Sequence, residues 1–194
     1  ESQLGLLNTS HDNQINTARI IARHLPKNLT LVVKDHPWSF GKKSISYLLK
    51  LKNSLNVKLI NYKIPNKKIY KKMSYLISFG GTAIFESAFE KKPAIQVGSF
   101  GGMSELPNIY TLKNLDEIDG VIKRIDDEFE RNVNDKNYKK KIINYISAAL
   151  NQGFDVNKYH DDYRVEKKSL EYMWLKYKNE IEKIFTYKSK FIFK

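Results

Sequence analysis

The architecture of this chain is set by the segment YLISFGGTAIFESAF, residues 75–89. An apolar run of strand length reaches Gly80 and Gly81, and the residues from Ala83 onward then follow helical spacing. This order predicts a strand, a tight turn and a helix. Glycines let a ligand approach the backbone closely, and the N–H groups at a helix start favour phosphate or carboxylate. The turn is therefore a candidate anion site.

Thr82 and Glu86 stand four residues apart at the start of the predicted helix. If Thr82 caps or opens the helix, this spacing places a hydroxyl and a carboxylate on one face near the first turn. Alternatively, the Gly-Gly-Thr segment is only a compact connection, and Glu86 is a solvated acid favoured by the helix dipole. This segment alone leaves both interpretations open.

Strand-like and helix-like segments alternate through the first 110 residues. Apolar runs typical of strands occupy residues 29–33, 57–60 and 93–97, and helical stripes occupy residues 15–25, 45–55 and 67–73. The short connections predict βαβ units with right-handed crossovers, and hence one parallel sheet covered by helices. The continuous apolar run at residues 29–33 predicts a strand buried on both faces.

The first helix has clear boundary signals, because Asp12 or Asn13 suits its cap and Pro26 stops it. Residues 98–107 are expected to form a glycine-rich loop. After Tyr110 the pattern becomes helical, with stripes at residues 115–129 and 142–150, a loop from Asn151 to Arg164 and an amphipathic helix over residues 170–185. The fold class predicted is α/β, a Rossmann-like parallel sheet flanked by helices, with additional C-terminal helices.

The predicted domain organisation has two parts. Residues 1–131 form a Rossmann-like domain, and residues 132–194 form a helical extension that packs on it or on an N-terminal domain missing from the sequence. We expect a missing N-terminal portion because the chain begins with Glu1 and lacks the strand that normally opens an α/β unit. The absence of cysteine excludes disulfides and thiolate metal sites. No apolar run approaches the ~20 residues that span a bilayer.

The formal charge of +13 arises from 34 basic and 21 acidic residues. Ten lysines and no acidic residue lie between Lys42 and Lys72. Such a segment forms either a positive face for nucleic acid, anionic lipid or an acidic polymer, or an ordinary lysine-rich surface. We favour the ordinary surface, because lysine without interleaved arginine and aromatic residues reads bases poorly.

A second polar cluster follows the predicted strand at residues 29–33. Ligands of parallel sheets bind outside the carboxyl ends of the strands, where Lys34, His36 and Pro37 fall. Lys34 would supply a point charge, His36 a hydrogen bond to a phosphate oxygen, and Pro37 a fixed turn. A histidine before a proline is more often a packed loop residue. Its coincidence with the glycine turn favours a nucleotide phosphate site shared by the two loops.

Four short motifs, in this order, resemble the C-terminal half of the bacterial capsular polysaccharide biosynthesis family, which groups Kdo-transferase-like and related surface-carbohydrate enzymes. The motifs are Leu25–Pro26, residues 32–37, residues 81–88 and residues 92–95. The resemblance covers about residues 1–97. It implies a glycosyltransferase of the two-Rossmann-domain (GT-B) type, whose C-terminal domain binds a nucleotide-activated sugar for capsule synthesis. The expected donor is CMP-linked, such as CMP-Kdo or CMP-sialic acid.

The resemblance also implies roles for individual residues. Lys34 and His36 would contact the donor phosphate, Gly81 and Thr82 the phosphate or a sugar carboxylate, and Glu86 the ribose. The complete predicted nucleotide-sugar site is Lys34, His36, Pro37, Gly80, Gly81, Thr82 and Glu86.

Two positions depart from the family pattern. Gly80 stands where relatives often have a hydroxyl residue, and Ser87 replaces the usual alanine after the glutamate. No catalytic residue is assigned, because the acceptor site and any general base of this fold type are expected in the N-terminal domain. Without that domain the chain is expected to be inactive.

We expect neither a cofactor nor a metal, since the four histidines lack metal-ligand spacing. The acidic cluster of Asp155, His160, Asp161 and Asp162 is interpreted as a solvated loop. Expected partners are a nucleotide-sugar donor and a glycan or glycolipid acceptor, with peripheral contact with anionic membrane as a further option and no nucleic acid. The expected location is the cytoplasm, including the inner face of the plasma membrane.

Two other function classes stay open at this point. One is a polyol-phosphate transferase or a sugar-nucleotide epimerase, which uses the same double-Rossmann plan. The other is a non-catalytic basic module for nucleic acid or anionic membrane. The chain has no Gly-x-Gly-x-x-Gly, Walker or nucleophile-elbow motif.

Overall fold

A computed structural model describes residues 13–36, 41–98, 101–152, 171, 174–179 and 181–182. The chain divides into two compact units, Glu1–Tyr145 and Ile146–Lys194. In the described part of the first unit the strands are β1 (Leu31–Lys34), β2 (Val57–Ile60), β3 (Leu76–Ser78), β4 (Ala94–Val97) and β5 (Ile109–Leu112). The helices are α1 (Gln14–His24), α2 (Ile45–Lys52), α3 (Asn66–Tyr70), α4 (Thr82–Phe89) and α5 (Ile118–Asn134), and α6 (Asn137–Gln152) begins in this unit.

All the described strands pair in parallel, but they form two small sheets. β1 pairs with β2, while β3, β4 and β5 pair in that order. A helix separates the members of two of these pairs, α2 between β1 and β2 and α4 between β3 and β4, as parallel crossovers require. The predicted α/β class with parallel strands flanked by helices is confirmed, and it is compatible with a Rossmann-like fold. The prediction of one sheet is wrong for the described residues.

The three-stranded sheet contains the main core. All four residues of β4 are buried, as expected of a central strand covered on both faces. A cluster around this strand combines residues of α1, β4, β5, α5 and the 3₁₀ helix Leu115–Glu117: Ile21, Ile95, Val97, Tyr110, Leu112, Leu115, Ile118, Ile122 and Ile125. Leu31 of β1 and Ile77 of β3 both pack against this cluster, so the two sheets share one core.

Among the described residues, the two-stranded sheet has a buried apolar cluster on one face. Ala18 of α1, Leu51 of α2 and Val57 of β2 form a small cluster on that face. On the other face Val32 is 49% exposed, and the residue opposite it in register, Lys58, is also exposed. The predicted strand buried on both faces is therefore wrong, because side chains alternate and the described helices α1 and α2 supply residues to one face alone.

Several predicted boundaries differ from the structure. The segment expected to be a glycine-rich loop contains a 3₁₀ helix, Gly101–Glu105. β5 was not predicted, although its threonine and tyrosine favour strands, because a segment of four residues gives only a short pattern. Among the confirmed boundaries, β2 spans Val57–Ile60, and α1 is capped by Asn13, whose Oδ1 accepts a hydrogen bond from the Asn16 N–H at 3.0 Å.

Within the second unit, residues 171, 174–179 and 181–182 are helical, in agreement with the predicted helix over residues 170–185. The described side chains on this helix are exposed, including Trp174 at 64%. α6 continues to Gln152, two residues into the predicted loop, and the rest of that predicted loop, with its acidic cluster, lies outside the described residues. The predicted domain division between residues 131 and 132 stays a prediction.

Across the described residues, no helix combines the length and apolarity that crossing a bilayer requires.

Candidate functional site

The turn between β3 and α4 is held by Ser78 and shaped by Gly81. The Ser78 hydroxyl donates to the Gly80 carbonyl at 2.7 Å and accepts from the Gly80 N–H at 3.3 Å. Gly81 has φ 98° and ψ 175°, a combination that is almost restricted to glycine. A Cβ atom added at Gly81 would meet no atom within 4 Å. The backbone of this turn therefore faces open space.

Helix α4 begins at Thr82 with Gly81 as its N-cap, and no side chain caps it. Thr82 thus opens the helix rather than capping it, and its side chain is exposed. The N–H groups of a first helical turn lack intrahelical partners and carry partial positive charge. Because the N-cap residue Gly81 has no side chain that could accept from these N–H groups, this end of α4 suits an external anion.

Lys34 and Glu86 meet through a single intermediate residue. The Lys34 ammonium donates to Asn66 Oδ1 at 2.7 Å, and Asn66 Nδ2 donates to Glu86 Oε2 at 3.3 Å. Lys34 is the last residue of β1, Asn66 the first of α3, and Glu86 the fifth of α4. One amide therefore connects three elements that are separated by 32 and 20 positions in the sequence.

Tyr70, at the other end of α3, holds the same carboxylate oxygen. Its hydroxyl lies 2.8 Å from Glu86 Oε2 and 3.3 Å from the Ala83 carbonyl, and its side chain is buried. Burial, then the hydrogen bond and charge of Glu86, raise the pKa of Tyr70 well above its usual range. Tyr70 therefore stays protonated and donates, so that Glu86 Oε2 accepts from both Asn66 and Tyr70 and the carboxylate is held in one orientation.

Asp35, between Lys34 and His36, has a structural partner. Its Oδ1 atom accepts from the Lys43 ammonium at 2.8 Å and from the His36 backbone N–H at 3.0 Å. Lys43 also donates to Gln14 Oε1 at 3.0 Å. Burial lowers the pKa of Lys43, but the hydrogen bond and charge of Asp35 reverse this effect, and the pKa is raised overall. This ion pair anchors the loop that follows β1.

The structure thus brings together two of the predicted site residues, Lys34 and Glu86, and places Thr82 one turn before Glu86 on α4. Gly80 and Gly81 form the turn at the start of that helix. His36 is exposed and lies two residues beyond Lys34. Its approach to the glycine turn stays a prediction. Pro37, also part of the predicted site, lies outside the described residues.

Asn66 and Tyr70 were missed by the sequence analysis. Both lie on α3, which has only five residues and follows Pro65 in a lysine-rich segment. Their roles depend on packing between α3 and α4, which local periodicity does not encode. The sequence shows only a tyrosine among lysines, and it does not reveal that this phenol is buried and therefore needs a hydrogen-bond partner.

Ser87, which departs from the family pattern, belongs to a different polar cluster. Its hydroxyl donates to the Ile84 carbonyl at 2.6 Å and accepts from Asn108 Nδ2 at 2.9 Å. Asn108 Nδ2 also donates to the Lys92 carbonyl at 2.9 Å. Ser87 and Asn108 are fully buried. These contacts attach α4 to the edge where β4 and β5 begin, so Ser87 has a structural role.

Comparison with known proteins does not identify a relative. No protein-family model, no curated protein and no solved structure matches this chain. The resemblance to capsular polysaccharide enzymes therefore stays a prediction. Within the described residues, no group of three or more histidine, aspartate or glutamate side chains is arranged to hold a metal ion.

Proposed function

We propose that this chain is the donor-binding part of a glycosyltransferase that builds bacterial capsule or another surface polysaccharide from a nucleotide-activated sugar. The observation that supports it is the connection of Lys34 to Glu86 through Asn66, close in sequence to an uncapped helix start at Gly81. A cation, a set of main-chain N–H groups and a carboxylate are the groups that a nucleotide phosphate and its ribose require.

The roles follow from the chemistry of each group. The Lys34 ammonium and the first N–H groups of α4 bind phosphate oxygens, and Thr82 adds a hydroxyl at the same helix end. The Glu86 carboxylate accepts hydrogen bonds from ribose hydroxyls. Tyr70 and Asn66 hold that carboxylate before the ligand arrives, which lowers the entropic cost of binding. A CMP-linked acidic sugar is the proposed donor, since its phosphate and its sugar carboxylate both suit a positive site.

Sugar transfer makes a specific electrostatic demand on this site. The bond between the anomeric carbon and the phosphate oxygen breaks, the acceptor oxygen bonds to that carbon, and the acceptor proton passes to a base. Negative charge gathers on the departing nucleotide phosphate. A fixed ammonium and a helix start stabilise this charge electrostatically. The proposal assigns neither the general base nor the acceptor site to a residue of this chain.

Calorimetric titration of the 194-residue chain with CMP, CDP, UDP and single-stranded DNA, at low and at high salt, tests the proposal. We expect one nucleotide to bind preferentially with weak salt dependence, and Lys34→Gln and Glu86→Gln each to weaken it roughly tenfold, about the value of one charge-assisted hydrogen bond. Lys67→Gln is the matched control, because Lys67 is exposed and adjacent to Asn66. The Lys67→Gln variant should bind the nucleotide as tightly as the unchanged chain.

Two results would contradict the proposal. Equal binding of all the polyanions with steep salt dependence would indicate a basic binding module. A loss in Lys67→Gln as large as that in Lys34→Gln would indicate that general positive charge, rather than the network of Lys34, Asn66 and Glu86, determines binding.

A further inference from the structure

Helix α2 presents aliphatic side chains to solvent on the side opposite its buried face. Its inner face contributes Leu51, which is 3% exposed, to the core of the first sheet. On the outer side, Ile45 is 77% exposed, Leu49 50% and Leu48 38%. Positions 45, 48, 49 and 52 share one side of a helix. We call this side, with Leu55 just beyond the helix, the α2 face; Leu55 is 82% exposed.

Every charged residue within positions 41–56 is a lysine. Lys52 lies within the α2 face, and Lys42 and Lys50 are near it in the sequence; all three are exposed. Arg19 of α1 adds a cation at the end of α2, where its Nε atom donates to Ser54 Oγ at 2.9 Å and an Nη atom to the Lys50 carbonyl at 3.4 Å. No acidic residue occurs between Asp35 and Glu86. The α2 face is therefore an apolar surface with cationic side chains beside it.

We propose that the α2 face docks on an anionic lipid membrane. Exposed aliphatic side chains on one side of a helix enter the boundary between headgroups and acyl chains, and neighbouring lysines bind the negative surface. Lysine suits this task because its long stem lies along apolar surface while its ammonium reaches a headgroup phosphate. A peripheral contact of this kind requires no spanning helix.

The composition of the face favours lipid over two other partners. A second copy of the chain would bring positively charged borders together, which repel. Single-stranded nucleic acid is bound by aromatic side chains on which bases stack, whereas the α2 face is aliphatic. This inference is independent of the proposed nucleotide-sugar site, because none of the residues in the α2 face belongs to that site.

Vesicle flotation tests the proposal directly. The 194-residue chain is mixed with phosphatidylcholine vesicles with or without about one-third phosphatidylglycerol. We expect binding to the anionic vesicles only. The Ile45→Ser/Leu49→Ser variant should bind at least roughly tenfold less tightly, since two aliphatic side chains no longer enter the lipid. The Lys50→Gln/Lys52→Gln variant should lose about fivefold per lysine.

A matched control separates the α2 face from general apolar exposure. Ile143 on α6 is 48% exposed, close to the 50% of Leu49, and lysines also surround it in the sequence. Ile143→Ser should bind anionic vesicles as tightly as the unchanged chain, and thermal unfolding should show that all variants are folded.

Several results would overturn the proposal. The first is that the folded chain does not bind anionic vesicles. The second is that Ile143→Ser loses as much vesicle affinity as Ile45→Ser/Leu49→Ser. The third is that single-stranded DNA displaces the chain from vesicles while the serine substitutions at Ile45 and Leu49 have no effect. A dimer in sedimentation that dissociates in Ile45→Ser/Leu49→Ser, without vesicle binding, would instead assign the α2 face to a second copy of the chain.

Discussion

Helix α4 takes part in two polar clusters, which differ in charge and burial. In the first, Glu86 connects through Asn66 to Lys34, and the charged groups are only partly buried. In the second, Ser87 and Asn108 form a neutral cluster with 0% exposure for both residues. Neutral, fully buried hydrogen bonds fix a fold, whereas charged and partly exposed groups near an open turn are available to a ligand.

This difference distinguishes the roles of Glu86 and Ser87, although the two residues are neighbours in the sequence. Substitutions near Asn108 should affect stability and leave nucleotide binding unchanged in the folded protein. Substitutions near Glu86 should affect nucleotide binding more than stability. The predictions below test this separation.

Asn108→Ala should have the largest effect on stability. The substitution leaves the Lys92 carbonyl without its side-chain donor and opens a small cavity, so the free energy of unfolding should fall by about 3 kcal/mol. Urea unfolding measures this change in the free energy of unfolding. A loss below about 1 kcal/mol, within the range of a surface substitution, would show that this cluster does not anchor α4.

Gly81→Ala should lower the free energy of unfolding by about 2 kcal/mol, because alanine rarely adopts the backbone angles of Gly81. The added methyl group meets no atom within 4 Å, so the cost is conformational and not steric. Gly102→Ala is the control, since that position is also open and has no left-handed φ. Equal stability of the two variants would contradict the glycine requirement at the turn.

Alkaline pH should weaken the contact that Tyr138 of α6 makes with the end of α4, where its hydroxyl donates to the Ala88 carbonyl at 2.9 Å. Burial raises the pKa of Tyr138 to about 12, from 10.0. The folded state therefore favours the neutral phenol, and this contribution is complete below pH 10 and lost as the pH rises toward 12. The free energy of unfolding should fall by up to about 1.4 kcal/mol per pH unit in this window. An unchanged slope in Tyr138→Phe would contradict the assignment.

Tyr70→Phe should have the smallest effect on stability, about 1 kcal/mol, because one hydrogen bond is lost and the ring stays in place. Its effect on nucleotide affinity should be comparatively clear, since Glu86 loses the donor that orients it. Calorimetry with the preferred nucleotide measures this. Full affinity in Tyr70→Phe would show that Glu86 needs no positioning by Tyr70, and the Asn66 contact alone would then account for its orientation.

The sequence predicted much of the local structure but less of the site. Periodicity identified β2, and Asn13 was one of two residues expected to cap α1, because these features depend on neighbouring residues. β5 was missed because it has only four residues, and the exposed face of β1 was missed because burial depends on what packs against a sheet. Asn66 and Tyr70 were invisible for the same reason, since they contact Glu86 only once α3 packs beside α4.

The central claim is that two loops distant in the sequence form one nucleotide site at the start of α4. Titration with CMP, followed in the amide NMR spectrum, tests it most directly. The account predicts that the signals of Lys34 to His36 and of Gly80 to Thr82 shift together with a single affinity, while the signals of Ser87 and Asn108 stay in place. Shifts confined to one of the two loops, or spread over the lysines between Lys42 and Lys72, would contradict it.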